Sequence, residues 1–434
     1  MRDEHFVVLG VARPRTTWLT DIGHWANSSM LPIEFIRCVS IDEVRSRLHS
    51  DRRFSAVLLG EDCTGVDRDV IETARDAGCV PIVITDSTPR RDWPALGAAD
   101  TLTQPVTPHH LLAALREHAI GVDHRSHIAT HETSVDSSPT GCLIAVLGPG
   151  GSGTSTTAMA IASHLAGQPS RHLESTPTRV GLIDASLNAD QALLHDLGDV
   201  VPGLQELVDL HRTANPTNDE VRDFFWFSAR HGYDILPGLR RHRDWSTLRR
   251  RTTLAALASI HRSFDFVVAD SDADFEGESE TGSIDIEDRN LLARELARNA
   301  DLVVLTARAG IIGLSRALQN LRELAELGIE TERILLVILG APRSTRHRSE
   351  LARTILRLFD ETVPSHSLPI PVMVPLRRDL EPFIHDGTAP PRSAFGSITA
   401  AVSERLQQVE PRDPRPSFQT APIAIIPGHL GRTA

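Results

Sequence analysis

Residues 142–167 read CLIAVLGPGGSGTSTTAMAIASHLAG. An apolar run enters a glycine-rich turn at 148–153, and a segment rich in alanine and isoleucine with helical spacing leaves it. Strand, glycine turn and helix in that order let a backbone curl around an anion. Gly150, Gly151 and Gly153 allow successive N–H groups to point inward, and the helix N-terminus adds partial positive charge. The spacing is that of a phosphate-binding loop, yet Thr154 stands where the pattern G-x-x-x-x-G-K-[ST] has its lysine, followed by Ser155 at the hydroxyl position. For an isolated glycine turn the alternative is a tight strand-to-helix connection whose glycines serve packing alone.

The missing lysine is general: lysine occurs nowhere in the chain, so all 45 basic residues other than histidine are arginine. Every cationic role falls to guanidinium. A net charge of −12 argues against whole-chain attraction to nucleic acid or anionic lipid, though not against a local patch. At 434 residues the chain is too long for one ordinary core, so two or three domains are expected. Hydrophobic content of 41% with no run of about 18 apolar residues predicts a soluble globular protein without a membrane span. The start has acids at Asp3 and Glu4 and no basic-then-apolar leader, so the expected address is cytoplasmic. Cys38, Cys63, Cys79 and Cys142 fall singly and read as buried thiols.

Outward from the loop toward the N-terminus, apolar runs at HFVVLGVA, IEFIRCVS, SAVLLGED, VPIVITDS and DTLTQP alternate with helical patterns, including RRDWPALGA between the last two. Five β-α units predict a parallel, flavodoxin-like three-layer sandwich over residues 1–120. The stretch GAADTLTQPVTPHHLLAALREH resembles the end of a response-regulator receiver domain. That resemblance implies acids after the first strand, a phosphoacceptor aspartate after the third, a hydroxyl after the fourth and a lysine after the fifth. Here those places hold Gly10 and Val11, Gly60, Thr85 and Gln104. Glu61 and Asp62 come one and two residues late. A pseudo-receiver without phosphorylation is the expectation. Residues 121–140 read as a linker; His124, His127 and His131 there have spacings a metal site could use, but a solvated segment fits the composition better.

Beyond the loop, RVGLIDASLNADQALLHDLG has acid-bearing strand character at Asp184, and FDFVVADSD ends its apolar run at Asp270. With ADLVVLTARAGIIGLSRALQNLRELAELG, LLVILGAPR and the closing LPIPVMVPLRRDLEPFIHDGTAP, these segments resemble the MinD/ParA superfamily over about residues 141–408. The resemblance implies a P-loop NTPase fold with a mainly parallel sheet over 141–410. It implies a nucleotide site at Gly150, Gly151, Ser152, Gly153, Thr154, Ser155 and Thr156, with ATP or ADP as ligand. Magnesium would meet Ser155 and, through water, Asp270; Asp184 would position a water, with Ser186 in place of a second switch aspartate. The family's two lysines fall on Pro149 and Thr154, and Gly340 lies near its adenine-reading asparagine. Weak nucleotide binding and weak or absent hydrolysis follow as expectations, which is to say a pseudo-ATPase.

A receiver-like front fused to a MinD/ParA-like body resembles the CpaE proteins and the related septum-site-determining Ssd proteins. That implies a homodimeric spatial regulator or scaffold acting with cell-division proteins, or with Tad-type pilus and secretion proteins, at the septum or cell pole. Two alternatives stay open. An arginine such as Arg240 or Arg308 could replace the lysines in an active ATPase, or the cluster at 240–251 (GLRRHRDWSTLRRRT) could bind DNA as partition proteins do. The better reading of the same cluster is a solvated helix paired with acids, offered by the run from Asp270 to Asp288, which is expected to be an inserted acidic loop. The tail at 411–434 is broken by prolines and cannot form a membrane-binding amphipathic helix.

Overall fold

The computed structural model describes residues 5–119, 141–168, 178–362, 368–375 and 391–408, apart from single positions 15, 29, 51 and 87. The segment 121–140 with its three histidines, most of the closing segment and the tail at 411–434 lie outside the described residues. The chain divides into two compact units, one built on the N-terminal sheet with Leu210–Asn215 and the other on the described residues within 141–209 and 216–408.

In the first unit β1 (Phe6–Val11), β2 (Ile33–Cys38), β3 (Ala56–Gly60), β4 (Val80–Thr85) and β5 (Asp100–Thr103) form one parallel sheet in the order β2-β1-β3-β4-β5. Strand alternation explains both faces. Val7, Leu9, Val57 and Leu59 pack under the helices Ile41–Leu48 and Arg68–Asp76, while Val8, Leu58, Ile82 and Ile84 pack under Thr17–Asn27 and Pro108–His118. The helix expected over RRDWPALGA is only a 3-10 turn, Pro94–Leu96. Pro94 lacks a backbone donor, Gly97 closes the turn at φ 100°, and Trp93 is buried with its indole N–H on Glu61.

The second unit adds β6 (Cys142–Leu147), β7 (Val180–Asp184), β8 (Trp226–Ser228), β9 (Tyr233–Leu236), β10 (Phe266–Ser271), β11 (Leu302–Arg308), β12 (Ile334–Ala341) and β13 (Val372–Pro375). Their order is β13-β12-β11-β6-β10-β7-β9-β8, parallel except for β8, which runs antiparallel to β9. The connection from β10 to β11 carries the chain across β6, so the glycine turn lies at the topological switch point, outside the carboxyl ends of the strands. Ile144, Val146, Val268 and Val304 pack against the helices Thr154–Ala166 and Arg392–Gln408. On the opposite face Leu143, Ala145, Val303 and Leu305 meet Arg250–Ser263, Leu291–Asn299 and Ile311–Glu326.

The acidic run from Asp270 to Asp288 is not a loose insertion. Asp272 accepts the Leu187 N–H at 2.7 Å, Asp274 holds Asn290 at 2.8 Å and pairs with Arg289, and short helices form at Glu278–Thr281 and Ile284–Arg289. Both acids therefore have donors, which is what fixes the run in place.

Candidate functional site

At the site the backbone comes first. Ser152 N–H returns to the Pro149 carbonyl at 3.0 Å, and Thr157 N–H to the Gly153 carbonyl at 3.0 Å, which opens the helix Thr154–Ala166. Gly151 and Gly153 sit at φ 78° and 90°, a region closed to most side chains. No atom lies within 4 Å of the position a Cβ would take on Gly150 or Gly151, so the outer face of the turn is open. Gly153 faces the opposite situation, since a Cβ there would come within 2.5 Å of Leu339 Cδ1.

The side chain in the lysine place points into the protein. Thr154 is buried with Ser152, and their hydroxyls form a triangle with that of Thr306 on β11: Ser152 to Thr154 2.8 Å, Ser152 to Thr306 2.8 Å, Thr154 to Thr306 2.9 Å. Thr306 also donates to the Leu147 carbonyl at 3.2 Å. Three buried hydroxyls thus satisfy one another and tie the turn to the neighbouring strand. Ser155 and Thr156 occupy the half-buried first turn of the helix.

Opposite that helix the two acids are neighbours. Asp184 and Asp270 are register partners at the ends of β7 and β10, and both are buried. Asp184 accepts the Gln191 N–H at 2.8 Å and the Ser186 N–H at 3.4 Å. One Asp270 oxygen accepts the Gln191 side-chain amide at 2.7 Å, and the same amide reaches the Ser155 carbonyl at 3.3 Å. The other, Asp270 Oδ1, is buried without a hydrogen-bond partner. Desolvation raises both carboxyls above the usual carboxylate range; the Asp270 charge raises Asp184 further, while burial opposed by the Gln191 amide leaves Asp270 at about 6. A buried carboxylate oxygen without a donor, beside a helix-start hydroxyl, suits a cation. Magnesium therefore fits Ser155 and Asp270, with remaining ligands from water or phosphate, since among the described residues no three metal-binding side chains cluster.

Gln191 and Thr306 carry no motif. Gln191 lies seven residues past Asp184 in an unremarked polar stretch, and Thr306 is one hydroxyl inside an apolar strand. Behind Gln191, the buried His195 binds the Gln191 carbonyl through Nδ1 at 2.7 Å and accepts the Tyr233 hydroxyl at Nε2, also 2.7 Å. Burial pushes His195 down to about 4 and Tyr233 up, so both are neutral and anchor the segment after Asp184.

The candidate arginines separate. Arg240 is engaged by Glu206 at 2.6 Å and by Gln205 at 3.1 Å. Arg308 ends β11 with its side chain exposed. Within the cluster, Arg250 pairs with Glu287 and Glu295, whereas Arg241, Arg243 and Arg249 are exposed. Only the part from Arg250 is α-helical; His242–Thr247 is a 3-10 turn. Gly340 has φ 75° beside a register shift in β12, and its surroundings are open.

In the first unit, Gly60 ends β3 and the Asp62 carboxylate bends back to 3.1 Å from where a Gly60 Cβ would stand, with Arg13 at 3.8 Å. Glu61 points elsewhere, accepting from Arg90 N–H and Trp93. Thr85 is buried with its hydroxyl unpartnered, and Gln104 donates to Asp86. Among the described residues no helix is long and apolar enough to cross a membrane.

A parallel sheet whose central strand feeds a glycine turn and helix, with carboxylates at the ends of β10 beside that strand and of β7 beyond it, defines the second unit as a P-loop NTPase-type fold. No family model and no curated protein sequence matches the chain. Solved structures similar to it include the septum site-determining protein MinD of Pyrococcus horikoshii complexed with Mg-ADP, at 17% identity and TM-score 0.45 over 62% of this chain and 99% of that one. A plasmid partition protein of Borrelia burgdorferi bound to AMPPNP matches at 14% identity and TM-score 0.44, over 62% and 99%. A response regulator receiver protein of Sinorhizobium medicae matches at 16% identity and TM-score 0.23, over 26% and 94%. What the site can do follows from its own hydrogen bonds.

Proposed function

We propose that this chain is a MinD/ParA-type spatial regulator, a cytoplasmic scaffold of the CpaE or Ssd kind that acts as a homodimer in placing the division septum or a pilus-secretion machine. Its nucleotide site is retained for weak binding and has lost rapid hydrolysis. One observation supports the nucleotide part of this reading: the Thr154 hydroxyl is locked inward by Ser152 and Thr306, while the open turn, Ser155 and the unpartnered Asp270 oxygen remain suited to an anion and magnesium.

The backbone N–H groups of Gly150, Gly151 and Gly153 and the helix start would receive a diphosphate. Ser155 and Asp270 would hold magnesium, which supplies charge neutralisation for the phosphates when bound. Asp184, held by two N–H groups, would orient a water. A hydroxyl that faces the interior brings no charge to the phosphates. Charge-assisted bonds are worth about 1.5–3 kcal/mol each, so affinity is lower by roughly tenfold or more. A cation on the terminal phosphate is worth about 10³–10⁵ in rate, and hydrolysis suffers accordingly.

Calorimetric titration of the full chain with ADP, with and without magnesium, tests the reading. Weak, saturable, magnesium-enhanced binding that Gly151→Val abolishes is expected, because a β-branched residue cannot hold φ 78°. Equal negligible heats from wild type and variant would leave the loop a structural turn.

A further inference from the structure

We infer that Arg308 supplies part of the positive charge that the glycine turn lacks, reaching from the end of β11 to the two phosphates of a bound diphosphate and leaving a terminal third phosphate without a cation. The inference rests on the nucleotide-binding reading above. Alternation along β11 sorts its residues cleanly: Val303, Leu305 and Ala307 belong to one core, and Leu302 and Val304 to the other, on the side of the helix Thr154–Ala166. Thr306 continues that second face and meets Ser152 and Thr154. Arg308, two residues further on, emerges on the same face at the carboxyl end of the strand. Its register partner on β12 is Leu339, whose side chain lies against Gly153. Both neighbours of Arg308 on that face therefore touch the phosphate-binding turn.

The remaining requirements are availability and need. Arg308 is exposed and forms no ion pair or side-chain hydrogen bond among the described residues, whereas Arg240 is already held by Glu206 and Gln205. Need comes from the acids. Asp184 and Asp270 end neighbouring strands, with Asp270 beside Ser155 at the helix start, and a helix terminus offers only about half a positive charge against them and an incoming diphosphate. A guanidinium, with its planar fork of donors, suits phosphate oxygens and keeps its charge at any working pH.

The experiment compares full-length wild type, Arg308→Ala and Arg240→Ala by calorimetry with inorganic pyrophosphate and with ADP, each with magnesium. Arg308→Ala is expected to bind both at least tenfold more weakly with an unchanged melting temperature, and Arg240→Ala to match wild type. Wild-type affinity in Arg308→Ala would overturn the inference and leave the nucleotide-binding reading standing. Absence of binding by wild type itself would overturn both. Equal losses in the two arginine variants would also overturn it, by showing that general charge and not position matters.

Discussion

Replacing Asp270 by asparagine should make the ligand-free protein more stable at high pH. The two buried acids are register neighbours, and among the described residues neither has an ion-pair partner. Asp270 rises from 3.8 to about 6 in the fold. With the folded value above the unfolded one, its contribution to stability is full below the unfolded value and is lost as pH climbs through about 6. From pH 5 to pH 8 wild type therefore forfeits about one unit's worth, about 1–2 kcal/mol at 1.36 kcal/mol per unit. The amide introduced by Asp270→Asn cannot titrate, and its carbonyl still accepts from Gln191, so the variant escapes that loss. Urea melts at pH 5 and pH 8, without nucleotide or divalent metal, should show Asp270→Asn gaining on wild type by about 1–2 kcal/mol between the two. Parallel stability profiles would refute the reasoning, because they would mean that the fold does not raise the Asp270 carboxyl above its unfolded value.

Thr154→Lys removes one hydroxyl from the triangle but leaves Ser152 and Thr306 bonded to each other, so a melt should register a loss of only about 1 kcal/mol while ADP affinity rises roughly tenfold; unchanged affinity would contradict the cradle. Tyr233→Phe strips the donor from His195 and should cost about 1–3 kcal/mol at pH 7 by urea melt. Because His195 is neutral in the fold and pushed down to about 4, wild type should lose stability as pH falls from about 6.5 toward 4; a flat profile there would contradict its burial. Acetyl phosphate should leave the first unit unmodified in intact-mass spectra, since Gly60 ends β3 and Glu61 is bound to Trp93; a phosphoryl adduct on Asp62 would show that its bent-back carboxylate has taken the acceptor's role.

Much of the architecture is legible because period and punctuation agree. The β6 run and its glycine turn, the ends of β7 and β10 at Asp184 and Asp270, and the alternating units of the first 119 residues each have an apolar period closed by a polar or glycine residue. The short β8 and β9 escape because three- and four-residue strands have too little pattern to stand apart from turns. The turn at Pro94–Leu96 looks helical by composition but cannot propagate past Pro94 and Gly97. In the site, the glycines and acids are visible as motif. Gln191, Thr306 and the orientation of Thr154 are not, since each is defined by a partner 79, 152 or 154 residues away. Local sequence holds no trace of such pairings.

Phosphate release from ATP by the purified full chain, with magnesium and with Asp184→Ala alongside, tests the central claim most directly. The account predicts a rate near background that the substitution barely changes, because no side chain of the turn carries positive charge to the terminal phosphate. Robust turnover that Asp184→Ala abolishes would contradict it and make the protein a working ATPase.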